Sequence, residues 1–166
     1  MKRVTISAVL LVAVVALLTT RMSAGDLRAG TWKANIQKSK YSPGPPPTGP
    51  NIQKIEAVEN GIKLVADGVN AKGQKTHNEY TVRYDGKDYP THPMLDGKPD
   101  PNAVEPTVST KKIDDYTYES TAKSKGVVLV TIREVISKDG KTRTATITGK
   151  NAQGQAVNNV VVYEKQ

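Results

Sequence analysis

From Gly30 onward the chain alternates apolar and polar residues with a period of two, and no stretch holds the longer period of an amphipathic helix. Gly30-Thr31-Trp32-Lys33-Ala34-Asn35-Ile36 sets the pattern, with Trp32, Ala34 and Ile36 on one face of a first strand. The same alternation predicts strands over 51–58, 62–69, 75–84, 107–113, 116–122, 127–136, 142–148 and 155–164, with a short one beginning at Tyr89. Turn chemistry separates them. Asn60-Gly61 and Asp139-Gly140 are hairpin signals, because a primed two-residue turn needs positive φ at both positions. Asn70–Gln74, Asp85–Asp88, Asp114-Asp115 and Ser124-Lys125-Gly126 supply the other tight connections.

Two proline-rich stretches interrupt the rhythm. Residues 38–50 end in Pro43-Gly44-Pro45-Pro46-Pro47-Thr48-Gly49-Pro50, which predicts an extended, rigid connector that buries Tyr41 over one end of the fold. Pro90, Pro93, Pro99, Pro101 and Pro106 break any ladder over 90–106, which reads as a long surface loop where binding residues often sit. The count comes to about ten strands with short connections elsewhere.

The chain also repeats itself. Asn70-Ala71-Lys72-Gly73-Gln74 recurs as Asn151-Ala152-Gln153-Gly154-Gln155. Each copy follows a glycine (Gly68, Gly149) and precedes a strand ending in tyrosine (Tyr84, Tyr163). A three-strand meander that occurs twice suits an all-β, antiparallel up-and-down barrel, in which each strand pairs with its sequence neighbours.

Composition places this barrel outside the cytoplasm. Lys2 and Arg3 precede a 15-residue apolar run, Val4 to Leu18, and Ser23-Ala24-Gly25 supplies small residues for cleavage, so residues 1–25 read as an export signal. The run falls short of the roughly 20 apolar residues of a spanning helix, so no stable membrane span is expected after cleavage. Residues 26–166 are then one domain, expected to be monomeric and periplasmic or secreted. The chain has no cysteine, which excludes disulfides, thiol chemistry and a lipid-bearing cysteine. Loss of Lys2, Arg3 and Arg21 lowers the formal net charge from +8 to +5. The remaining basic residues are scattered, often beside turn glycines, which reads as a solvated surface with no nucleic-acid footprint.

Gly30-Thr31-Trp32 resembles the Gly-x-Trp signature that opens the first strand of the calycins, the lipocalin and fatty-acid-binding group. The resemblance implies a barrel with Trp32 packed across its closed end. The ending Val161-Val162-Tyr163-Glu164-Lys165 is similar to the last strand of fatty-acid-binding proteins. There an Arg-x-Tyr pair grips a ligand carboxylate; Tyr163 matches the tyrosine, but Val161 stands at the arginine, and the connector replaces the two helices that cap such barrels. The whole chain also resembles small exported bacterial proteins that begin Gly-Thr-Trp-Lys and have no assigned activity.

Little here suggests catalysis. The chain has two histidines; His77 and Glu79 share a strand face with Arg83 further along, and even with His92 they fall short of a convincing zinc set. Nucleophile-elbow, phosphate-loop and calcium-loop spacings are missing, so a non-enzymatic protein without a cofactor is expected. The sharper expectation is a small hydrophobic or amphipathic ligand inside the barrel, lined by Trp32, Ile36, Leu64, Tyr80, Val82, Tyr84, Tyr116, Tyr118 and Tyr163. The same residues suit a filled core equally. In that case the protein acts in the cell envelope through its proline-rich loops.

Overall fold

A computed structural model of the protein describes residues 25–151 and 154–166; apart from Gly25, the expected leader lies outside them. The described residues form no helix and twelve strands in one antiparallel sheet. The long strands are β1 (Gly30–Lys40), β2 (Asn51–Val58), β3 (Gly61–Val69), β4 (Lys75–Arg83), β8 (Pro106–Lys112), β9 (Thr117–Ser124), β10 (Val127–Ile136), β11 (Thr142–Lys150) and β12 (Ala156–Lys165). Between them lie three two-residue strands, β5 (Tyr89–Pro90), β6 (Met94–Leu95) and β7 (Lys98–Pro99).

The order β8-β9-β10-β11-β12-β1-β2-β3-β4 is an uninterrupted meander in which the last strand, β12, pairs with the first, β1. The sheet curls into a half-barrel, with β4 and β8 at its seam. The stretch expected as a plain loop lies in that seam. Tyr89 and Pro90 pair with Val108 and Thr107, Thr91 donates to Pro106 O at 3.0 Å, and His92 then donates to Glu79 O at 3.1 Å. Met94 and Leu95 complete the crossing by pairing with His77 and Thr76. The prolines limit each ladder to two residues but do not prevent it, which is why twelve strands replace the expected ten or so.

The internal repeat folds as a repeat. Asn70 N donates to Gln74 O at 2.9 Å and Asn151 N to Gln155 O at 3.0 Å. In each copy the asparagine Oδ1 accepts from the glutamine N, at 3.0 Å. A neighbouring turn departs from expectation. Val58 pairs with Gly61, so the loop is Glu59-Asn60, with Asn60 at φ 53°. Gly61 starts β3, and its role is steric: a Cβ there would lie 2.1 Å from Val82 O. Two-residue turns with positive φ at both positions are Asp96-Gly97, at 49° and 76°, and Lys125-Gly126, at 48° and 74°.

Inward-facing residues form one core: Trp32, Ile55, Ile62, Leu64, Val82, Val108, Tyr118, Ile136, Ala145, Val161 and Tyr163, with Tyr41 packed against it from the connector. Each large apolar side chain buried there contributes roughly 1.5–3 kcal/mol. Three charged residues share this interior, Arg28, Glu134 and Arg143.

Candidate functional site

The interior has two parts, a packed charged end and an open cavity. The packed end is built by the segment preceding β1. Asp26 Oδ1 accepts from Arg28 N at 2.8 Å, and Ala29 N bonds Asp26 O at 2.9 Å, a turn that sends the Arg28 side chain inward. Trp32 Nε1 donates to Arg28 O at 2.7 Å, tying this plug to β1.

Inside, Glu134 joins two guanidinium groups. Arg28 Nη2 lies 2.8 Å from its Oε2, and Arg143 Nη1 donates to its Oε1 at 2.7 Å. Arg143 Nη2 donates to Gln53 Oε1, and Gln53 Nε2 donates to Tyr163 OH at 3.0 Å. The guanidinium of Arg143 lies 4.4 Å from the Tyr163 ring centroid and 5.2 Å from that of Trp32, while Arg28 lies 5.0 Å over Tyr118. The nitrogens Arg28 Nε, Arg28 Nη1 and Arg143 Nε have no hydrogen-bond partner, and the ring faces partly replace one. Tyr84 and Tyr118 both donate to Asp26, Tyr118 at 3.2 Å.

Electrostatics follow from this enclosure. Burial pushes the Glu134 carboxyl up, but Arg28 and Arg143 outweigh it and hold it below the usual range. Burial likewise lowers Arg28, and the carboxylate of Glu134 more than restores it. The Tyr84 and Tyr118 hydroxyls are pushed up by burial and by Asp26, and burial raises Tyr163 to about 12. The packed end is therefore a fixed array of charges around Glu134.

The cavity lies at the other end, at the β4–β8 seam. It encloses about 320 Å³ and is walled by Tyr80, Val108, Ala122, Leu129 and Ile132, with Ala103 and Pro106 from the proline-rich segment at its rim. Two buried polar atoms that line it, Asn78 Oδ1 and Thr107 Oγ1, have no hydrogen-bond partner. Tyr80 joins the two parts. It lines the cavity while Arg28, Glu134 and Arg143 act on its hydroxyl, whose pKa burial raises.

The predicted lining residues divide accordingly. Trp32, Leu64, Val82, Tyr118 and Tyr163 are buried in the core, and Tyr84 packs beside them, bonded to Asp26. Tyr80 alone of the set lines the seam cavity. Ile36 is half-buried beside Lys33 and Pro50 on the β1 side. Tyr116 lies just before β9 and is 38% exposed, outside the interior, because its carbonyl serves Ile136 N while the ring turns outward. The arginine missing at position 161 has a counterpart on the next strand, since Arg143 pairs across β11–β12 with Tyr163.

His77 Nδ1 lies 2.8 Å from Asp67 Oδ1 on the outer surface. Among the described residues no three histidine or carboxylate side chains are placed to hold a metal. Compared with known proteins, the chain matches no family model, no curated protein and no solved structure.

Proposed function

We propose that the protein is an exported, non-enzymatic binding protein that takes a small hydrophobic or amphipathic ligand in the cavity at the β4–β8 seam. The observation that carries this reading is the cavity itself, about 320 Å³ with apolar walls, into which Asn78 and Thr107 bring buried polar atoms that the protein leaves unpaired. Native interiors pair such atoms almost everywhere, and these two face a cavity in which a ligand's polar group can pair them. The leader-like residues 1–25 support a periplasmic or secreted setting. The calycin resemblance agrees with a ligand inside the curl of the sheet, although Glu134 here occupies both arginines that a ligand acid would otherwise meet.

A second reading has its own support. Trp32, Tyr118, Tyr163 and Val82 belong to one buried cluster, as a filled core would, and the two proline-rich loops then act as contact arms in the cell envelope.

Native mass spectrometry of the processed protein from a bacterial periplasm separates the two. Adducts lost on denaturation, and lost again when Ile132→Trp fills the cavity, support the binding role. A bare mass that persists after incubation with mixed lipids and small apolar compounds supports the filled core.

A further inference from the structure

The polar side chains around the seam cavity say more about its occupant than its volume does. Asn78 and Thr107 sit on facing sides of the seam, on β4 and β8, and both line the cavity. Asn78 Oδ1 and Thr107 Oγ1 are buried without a hydrogen-bond partner, and Tyr80 lines the same cavity. An amide and a hydroxyl are each both donor and acceptor, so together they match a head group that is also both.

Of the charges lining the cavity the cation is matched, while Asp100 is held by neutral donors. Lys123, at the rim, is held by both carboxylate oxygens of Asp88, at 2.8 and 2.9 Å. Asp100 Oδ1 accepts from Asn102 N and Nδ2, at 2.9 and 3.1 Å. Behind Tyr80, the two guanidinium groups Arg28 and Arg143 share the carboxylate of Glu134, and Asp26 acts on Arg28 through space. An ionised head lying against Asn78 and Thr107 would lose its water and gain only neutral dipoles there, which do not repay that loss.

We propose that the seam cavity selects uncharged ligands that carry one hydroxyl or primary amide, with the head lying against Asn78, Thr107 and Tyr80. This rests on the binding role proposed above and narrows it to a chemical class. The volume accommodates about ten water-sized groups at roughly 30 Å³ each, which sets the length of a matching aliphatic chain.

The test is calorimetric titration of the whole processed protein with octan-1-ol, octanamide, octanoate and octylammonium at neutral pH. Octanol and octanamide are expected to bind at least tenfold more tightly than either ion. Thr107→Val, close in shape, and Asn78→Leu are expected to weaken octanol and octanamide at least threefold, and circular dichroism checks that each variant is folded. Equal binding of all four by the native protein would overturn the selectivity while leaving the binding role in place. A preference for octanoate or octylammonium would overturn it in favour of a charged head. Failure of all four to bind would remove the binding role itself, and the selectivity with it.

Discussion

Arg143 faces Tyr163 across the β11–β12 ladder, its guanidinium 4.4 Å from the centre of the phenol ring. In the other copy of the meander the same two places are held by Ile62 and Val82, paired across β3 and β4. The repeat therefore keeps its ladders and its Asn-to-Gln turn while exchanging an apolar pair for a cation over an aromatic ring. What makes the exchange tolerable is Glu134, brought within 2.7 Å of Arg143 by the neighbouring strand β10.

Removing that cation should be costly. Arg143→Ala leaves Glu134 buried against Arg28 alone and strips a stacked group from Trp32 and Tyr163. A loss of about 3–5 kcal/mol is expected, as for other buried pairs broken on one side. Urea denaturation measures it, and a change below about 1 kcal/mol would show that water already serves the network.

Acid stability should report on Glu134. Its carboxyl titrates below the ordinary value of 4.5 in the folded protein, because Arg28 and Arg143 outweigh its burial. The unfolded chain then takes up the proton first as pH falls. The stabilisation is complete above the unfolded value and is lost as pH drops through the folded one. Glu134→Gln should flatten this part of a stability–pH curve measured between neutrality and strong acid. A curve of unaltered shape would assign the acid limb to surface carboxylates such as Asp139.

The alkaline side carries the opposite sign. Burial raises Tyr163 from 10.0 to about 12, and Tyr80, Tyr84 and Tyr118 are raised as well. Unfolded tyrosine ionises first, so stability is complete below pH 10 and declines as pH rises towards the folded values. Ultraviolet titration of the phenolate should show these four ionising together with loss of near-ultraviolet dichroism. Their smooth ionisation in a folded protein would contradict the burial described above.

Gly61 offers a steric prediction. A Cβ at this position would stand 2.1 Å from Val82 O and 2.8 Å from the Arg83 Cα, both backbone atoms that cannot swing away. Gly61→Ala should therefore cost about 1–3 kcal/mol or more. Gly73→Ala meets open space and bears only the strain of φ +79°, so it should cost less. The two melting temperatures give the order directly, and the reverse order would point to easy movement of β4.

Much of this fold was legible in the alternation of residues. The meander, the paired repeats, the burial of Trp32 and the packing of Tyr41 follow from period-two patterning and from turn residues, which act locally. The charged end was written less openly. Arg143 shares a face with Ala145 and Ile147, and Glu134 shares one with Ile132 and Ile136, so opposite charges on two inward faces were the available signal. Neither face alone says that the partners meet, because that depends on the register of β10 against β11. Arg28 was harder still, since it precedes the first strand and is carried inward by the Asp26 turn. Tyr116 shows the opposite error: correct parity placed it with Tyr118, but it lies beyond the strand end, where parity no longer fixes direction.

That plug supports a final prediction. Asp26 holds the segment in place from three sides, accepting from Arg28 N at 2.8 Å, from Tyr118 OH at 3.2 Å and from Tyr84 OH. The Arg28 carbonyl in turn receives the Trp32 indole N–H at 2.7 Å, and the indole itself is fully buried. Asp26→Ala should loosen the plug by the worth of hydrogen bonds to a charged group, about 1.5–3 kcal/mol. Exchange of the Trp32 indole proton, followed by nuclear magnetic resonance, should then quicken by roughly ten- to a hundredfold if it proceeds through local opening of this segment. Tyr84→Phe, which removes one donor, should produce a smaller change in the same direction. An indole proton as slow in both variants as in the native protein would mean that Asp26 does not hold the plug, and that Arg28 is held from within by Glu134.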